Sequence, residues 1–342
     1  MRSQNLKEFQ DEQKKILSML PSLSSKTVDL SSFSWNGSGN VHFNLQGIDA
    51  DNLVDALLEK PHLLKFFDEP SLDRGLVYNH ASFTQGKYIV ISRDGDYEIA
   101  LESEGTNVVK NLIVVEENVH CRILFRLKGN GELHLANTIS VKPGGNCSLG
   151  FFNNFGGKGI FFNRSFVFQD GVFDLSQASF HSFSRIFHET YLLGDRASGN
   201  IFDLYRCDGA LDLNARVYCK GKHQKSLILS KGIVFGEGKV YFEGYAKIDK
   251  GAEHADLFVG QHALIMNLGA KAFLVPNLEI EHHQVKAGHS ASVQQFDEEK
   301  LFYLQSRGLN EDQSKSLMIE GFLRSVLEKM NPLLQEAVRG RI

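Results

Sequence analysis

Histidine and cysteine are the side chains of this 342-residue sequence best suited to holding a metal, and the histidines are unevenly spread. Five of the 13 crowd toward the end of its β-rich part: His254, His262, His282, His283 and His289. Neutral imidazole is a good ligand for iron and other first-row metals. His289 stands in Gly288-His289-Ser290, which reads as a small-residue turn that leaves the ring sterically free. If His282 and His283 are extended, they face opposite sides of a strand and cannot line one site together. For any one of these rings a surface or hydrogen-bonded role is the commoner fate. The four cysteines, Cys121, Cys147, Cys207 and Cys219, are too few and too scattered for a disulfide framework, which points to a reduced, cytoplasmic setting. Cys207 and Cys219 are twelve residues apart, a spacing that could put them on neighbouring coils, although burial as small apolar residues is the commoner outcome.

Other chemistries lack their residues. There is no G-x-x-x-x-G-K-[ST] loop, no G-x-S-x-G elbow and no C-x-x-C, and His188-Glu189-Thr190-Tyr191 lacks the second histidine of H-E-x-x-H. Carboxylates are plentiful, and their spacing singles out no catalytic pair. With 37 basic and 41 acidic residues the formal charge is −4, which argues against a dedicated nucleic-acid binder. No apolar run approaches the ~18 residues of a membrane helix. The stretch Met1 to Leu17 is studded with charge and does not read as a secretory signal.

The elements that would carry these residues change texture along the chain. Leu6, Phe9, Ile16, Leu17 and Leu20 fall near a helical period, with Pro21 as a stop, and a second short helix is predicted from Asn52 to Lys60. Ser31 to Gly47 is polar and reads as a loop or a stray strand. From Tyr88 onward, short β-branched and aromatic segments alternate with Gly-containing corners such as Gly144-Gly145-Asn146 and Gly236-Glu237-Gly238. Together with 31 glycines and 26 phenylalanines, that is an all-β signature. No strict repeat is visible, so a two-sheet fold and an irregular solenoid both fit. Helical texture returns with Asp297 to Ser306. Asn310 with Gln313 then forms a capping box, followed by the apolar stripe Ile319, Phe322, Leu323, Val326, Leu327 and Met330, ending at Asn331-Pro332. The stripe packs on the body of the protein or meets a partner, packing being the commoner use.

Several of these segments match a known pattern. Pro276-Asn277-Leu278-Glu279-Ile280 and Val285 to Ser292 resemble the P-x-L-E-I…V-K-C-S-H-G-A-T signature of the SufB/SufD family, scaffold proteins of Suf iron–sulfur cluster assembly. The run Phe296 to Leu309 resembles the family's D-E-E-x-L-F-Y-L-x-S-R-G-[IL], and Gly321-Phe322 with Val326-Leu327-Glu328 resembles its closing helix. More weakly, His223, Ser226 and Lys231-Gly232-Ile233-Val234 resemble H-x-x-S-x-x-L-x-K-G-V, and Gly238-Lys239-Val240 resembles G-K-I. The specific motifs cover about fifty-five residues, and within the family the chain is more similar to SufD than to SufB.

The resemblance implies a mainly β fold: a right-handed parallel β-helix core over residues 71–295, between helical regions at 1–70 and 296–342. It implies a non-enzymatic, cytoplasmic scaffold that pairs with a SufB-like subunit at the β-helix end and docks a SufC-like ATPase through its C-terminal helices, with a homodimer possible in isolation. Phe302, Tyr303, Arg307, Phe322, Val326 and Leu327 are then expected at partner surfaces, and His289 as an iron or cluster ligand. The family's cysteine two residues before that histidine is Ala287 here. Thiolates are the usual cluster ligands, so a transient cluster shared with the SufB-like subunit is expected rather than one housed by this chain alone. A β-helix carbohydrate-active enzyme, a lyase or hydrolase working in a groove of carboxylates and basic residues, is the alternative.

Overall fold

The structure, a computed structural model, describes residues 6–19, 39–67, 74–180 and 183–341. Helix α1 (Leu6–Met19) follows the apolar spacing of its sequence and buries Leu6 and Phe9; Leu20 and Pro21 lie outside the described residues. Strand β1 (Asn40–Gln46) takes up the end of the polar stretch, whose Ser31–Ser38 part is likewise outside them. After β2 (Ala50–Asn52), helix α2 (Leu53–Glu59) starts on Asn52, whose side-chain oxygen accepts from the amides of Val54 and Asp55, two of the donors a helix start leaves open. A 3₁₀ segment, Pro61–Phe67, and helix α3 (Arg74–Ser82) complete this part.

The body is a parallel β-solenoid of about eight turns. Its strands are β3 (Lys87–Ile91), β4 (Gly95–Val115), β5 (His120–Val141), β6 (Asn146–Phe155), β7 (Lys158–Val167), β8 (Val172–Ser179), β9 (Ser184–Leu192), β10 (Ser198–Cys207), β11 (Ala210–Cys219), β12 (Lys225–Val234), β13 (Lys239–Ile248), β14 (Asp256–Ile265), β15 (Lys271–Ile280) and β16 (Lys286–Gln295). The first halves of β4 and β5 lie on one face, continued by β6, β8, β10, β12, β14 and β16. Their second halves, preceded by β3, lie on the other, continued by β7, β9, β11, β13 and β15. The solenoid and not the two-sheet reading is therefore correct.

A period exists, but it is written in backbone conformation rather than in residue type. Asn111 and Asn137, like Asn137 and Asn163, sit 26 residues apart on successive turns, and the step grows to about 30 near the C-terminal end, as between His262 and Ser292. One corner of six successive turns holds a left-handed residue: Asn118, Gly144, Asp170, Arg196, His223 and His254, with φ between 55° and 68°. Each amide there donates to a carbonyl of the next turn, for instance Arg196 to Lys222 and His223 to Glu253. Because glycine occupies only one of these six corners, the repeat is invisible as a letter pattern. Ion pairs between turns reinforce the stack, such as the bidentate Arg196–Asp170 pair at 2.5 and 2.8 Å.

Inward positions are largely apolar, and Phe125 stacks on Phe151 with centroids 5.2 Å apart. All four cysteines are buried. Cys121 and Cys147 are register partners on adjacent turns, whereas Cys207 and Cys219 close β10 and β11, consecutive strands of the chain, rather than neighbouring coils.

Helices α4 (Glu298–Ser306), α5 (Glu311–Leu327) and α6 (Pro332–Val338) follow the last strand. Asn310 and Gln313 form the expected capping box on α5. Leu323, Val326, Met330, Leu334 and Val338 pack on the outer face of the even strands, against Leu124, Phe152, Phe202, Leu204 and Ile233. Asn331 locks the turn between α5 and α6. Its side chain caps α6 and donates to the Ser148 carbonyl at 2.7 Å, and its amide donates to the Ser176 hydroxyl at 2.8 Å.

Candidate functional site

The last turn of the solenoid is left open. Strand β15 pairs only with β13, and β16 only with β14, so among the described residues each keeps one edge of backbone donors and acceptors without a β partner. Such an edge is a template for another strand. Large apolar side chains are exposed on these last strands: Phe258 on β14, Phe273 and Ile280 on β15 and Val293 on β16 are 42–54% exposed.

His289 is not on a turn. It is the fourth residue of β16, in register with Val259 of β14, because the parallel ladder runs unbroken from Lys286 to Gln295. Val259 belongs to the solenoid core, so His289 occupies a lumen-side position that no further turn covers, and it is exposed. Ala287 pairs with core residue Leu257 and lies on the same side. The position of the family's cysteine and that of its histidine thus share one face at the open mouth. The outward-facing Ser292 meets His262 Nδ1 at 2.8 Å, and burial first, then Lys231, holds the His262 ring below its ordinary pKa.

His282 and His283 fall between β15 and β16, outside the extended strands, so the rule of opposite faces does not apply. Their rings stack 5.0 Å apart at 7°. His223 and His254 stack similarly, at 5.0 Å, on successive corners. Among the described residues no group of three or more His, Cys, Asp or Glu could hold a metal ion. Two of the cysteines are held as thiols. The Cys147 thiol is pushed well above its ordinary value by its hydrogen bond with Cys121 and by burial, and Cys219 is pushed up to about 12 by burial and by Asp249. The described residues of this chain therefore do not assemble a complete cluster shell.

The remaining expected site residues divide into two groups. Phe302 and Tyr303 on α4 are 73% and 56% exposed, and Arg307 lies over the Tyr303 ring at 5.1 Å. Val326, by contrast, is fully buried in this chain's own core, with Phe322 and Leu327 half-buried beside it. The Lys231–Val234 motif acquires a physical reading. Lys231 Nζ donates to the Phe322 carbonyl at 3.0 Å and lies over its ring, while Ile233 packs under the same helix. Sequence reasoning missed Asn331 as a docking residue, although Asn before Pro at a helix start was a readable cap signal.

Residues 99–322, well over half of the sequence, match the family model described as SUF system FeS cluster assembly, SufBD core domain. The chain belongs to the SufBD family. It is similar to an iron–sulfur cluster assembly SufBD family protein of Mycobacterium leprae, 33% identical over 147 residues, which is 40% of this chain and 38% of that protein. A Mycobacterium tuberculosis member is likewise 33% identical over 147 residues, covering 37% of its length, and another is 28% identical over 142 residues, covering 17%. The match thus spans less than half the length of these curated relatives. No described helix is long and apolar enough to cross a membrane.

Proposed function

We propose that this chain is a SufD-type, non-enzymatic scaffold of iron–sulfur cluster assembly that pairs with a SufB-like subunit through the open end of its solenoid. One observation carries the reading: two edge strands without a further β partner among the described residues, with exposed apolar side chains, end the solenoid, and one of them holds a lumen-side histidine. In this reading β15 and β16 continue into the partner's sheets and His289 offers an imidazole to iron or a nascent cluster. The cluster is cargo, and its thiolates come from the partner. A second copy of the chain could use the same end when no partner is present. The exposed Phe302 and Tyr303 with Arg307 form the surface offered to a SufC-like ATPase, with Phe322 and Leu327 supporting it and Val326 anchoring α5 from beneath. Four buried cysteines, none in a disulfide, suit the reduced cytoplasm.

The test is anaerobic co-purification with a SufB-like subunit and a SufC-like ATPase, followed by iron and acid-labile sulfide analysis. A ternary complex that carries both is expected. His289→Ala should keep the complex and lower its iron and sulfide; an unchanged yield removes the ligand role. A doubly substituted Phe302→Ser, Tyr303→Ser chain should lose the ATPase only, whereas retention of the ATPase contradicts that surface.

A further inference from the structure

The lumen contains a line of polar groups that the assembly role does not explain. On the even-strand face Gln177, Asp203, Ser230 and Gln261 occupy matching inward positions of β8, β10, β12 and β14. On the other face Asn111, Asn137 and Asn163 form a self-satisfied ladder, each amide nitrogen donating to the next side-chain oxygen at 2.8 Å. The ladder ends at His188, whose Nε2 crosses the lumen to within 3.2 Å of Asp203 Oδ1. On either side of that crossing further fully buried atoms have no hydrogen-bond partner: Gln177 Oε1, Asp203 Oδ2, the Tyr205 and Ser230 hydroxyls, and both amide atoms of Gln261.

The chemistry of this set selects its ligand. Carboxylate and amide oxygens only accept, the Gln261 amide nitrogen only donates, and the two hydroxyls do both. A bare cation would leave the donors unmet, and an anion would face Asp203. Water serves both kinds, and two to four polar partners are what a buried water requires. Two inward glycines leave the space into which the long side chains reach: a Cβ at Gly232 would meet the Tyr205 ring at 2.1 Å, and one at Gly244 would meet Gln261 Nε2 at 2.5 Å. Toward the mouth, Gln261 is in register with Ala291 of β16, which is exposed. We propose that the lumen between β8 and β14 encloses a chain of ordered waters connecting the buried His188–Asp203 pair to solvent at the open end.

The pair then exchanges protons with the medium only through that mouth. The other titratable groups facing it inside the lumen are Tyr205 and Cys207 on β10 and Cys219 on β11; the inward positions of β7, β8, β12, β13 and β14 carry no charge. Burial, with Cys207 and Asp203 nearby, raises the Tyr205 hydroxyl above its ordinary value, so it stays protonated.

Two measurements on the isolated chain test the proposal without any partner. A near-atomic crystal structure should show ordered waters within hydrogen-bond distance of the Asp203 carboxylate, Ser230 and Gln261. A dry lumen, or side chains repacked to satisfy one another, overturns it. Hydrogen exchange at the imidazole carbon of His188, read by mass spectrometry, should proceed despite the ring's full burial and should slow several-fold in Gln261→Met, which keeps side-chain length but breaks the water line. No exchange in the unsubstituted chain, or an unaltered rate in the variant, contradicts the water path.

Discussion

The two ends of the solenoid pose the same physical problem and meet it differently. At the N-terminal end β1 runs antiparallel along the first half of β4, and β3 pairs with its second half, itself covered by antiparallel β2. Helices α1 and α2 and the 3₁₀ segment add a core of Phe9, Leu53, Leu57, Leu63, Leu64 and Phe67 over Val108, Leu112 and Val114. At the C-terminal end the final strands have one paired edge each, and α5 and α6 pack along the outer face instead. A stacked sheet exposes a template wherever it stops, so an end closed within the chain is structural and an end left open is available for assembly.

Substitutions should separate the two ends, and the largest effect belongs to the closed one. Phe67→Ala removes a fully buried ring and should cost about 3–5 kcal/mol, read as a lowered denaturant midpoint. Phe273→Ala, more than half exposed at the open end, should stay within about 0.5 kcal/mol while weakening partner binding; comparable losses from the two would erase the contrast. Asn331→Ala comes next. It deletes a helix cap and the bonds to the solenoid, so about 1–2 kcal/mol is expected, with faster proteolysis after residue 331 as the readout.

Acid should loosen the closed end. Lys110 is buried with its Nζ 2.6 Å from His80 Nδ1 and 4.2 Å from the Phe67 centroid. Burial and Arg164 hold the amine well below its ordinary 10.5, and burial, with Lys110, Arg164 and His134, holds His80 below 6.5. A base whose folded pKa is depressed binds fewer protons when folded than when unfolded, so stability rises with pH between the two values and falls on acidification. Protection of the α1 and α3 amides, corrected for intrinsic exchange, should decline as pH is lowered from 9 to 5. Lys110→Met should abolish the alkaline part of that slope and raise protection at neutral pH; a slope that persists contradicts the assignment. The smallest stability effect is expected of His289→Ala, within about 0.5 kcal/mol for an exposed ring, making any loss of bound iron attributable to the ligand.

Much of this was legible in the sequence wherever a local rule applied. The Asn310–Gln313 box, the Asn52 helix start and the strand texture from Tyr88 onward are short-range signals, and the structure agrees with them. What could not be read depended on neighbours tens of residues away. The turn period was hidden because Asn, Asp, Arg and His all take the left-handed corner. His289 looked like a turn residue because glycine and serine flank it, yet pairing with β14 holds it extended. Val326 could not be told from an exposed stripe residue until the helix had a face to pack on. The His188–Asp203 contact joins opposite walls of the lumen, which no spacing rule anticipates.

Amide exchange measured on the chain alone and with a SufB-like subunit tests the central claim most directly. The account predicts that protection rises along Lys271–Ile280 and Lys286–Gln295, the two unpaired edges, while β1, β2 and α1 to α3 stay unchanged. Binding that leaves those two strands exchanging as before, or that protects the N-terminal end instead, would contradict it.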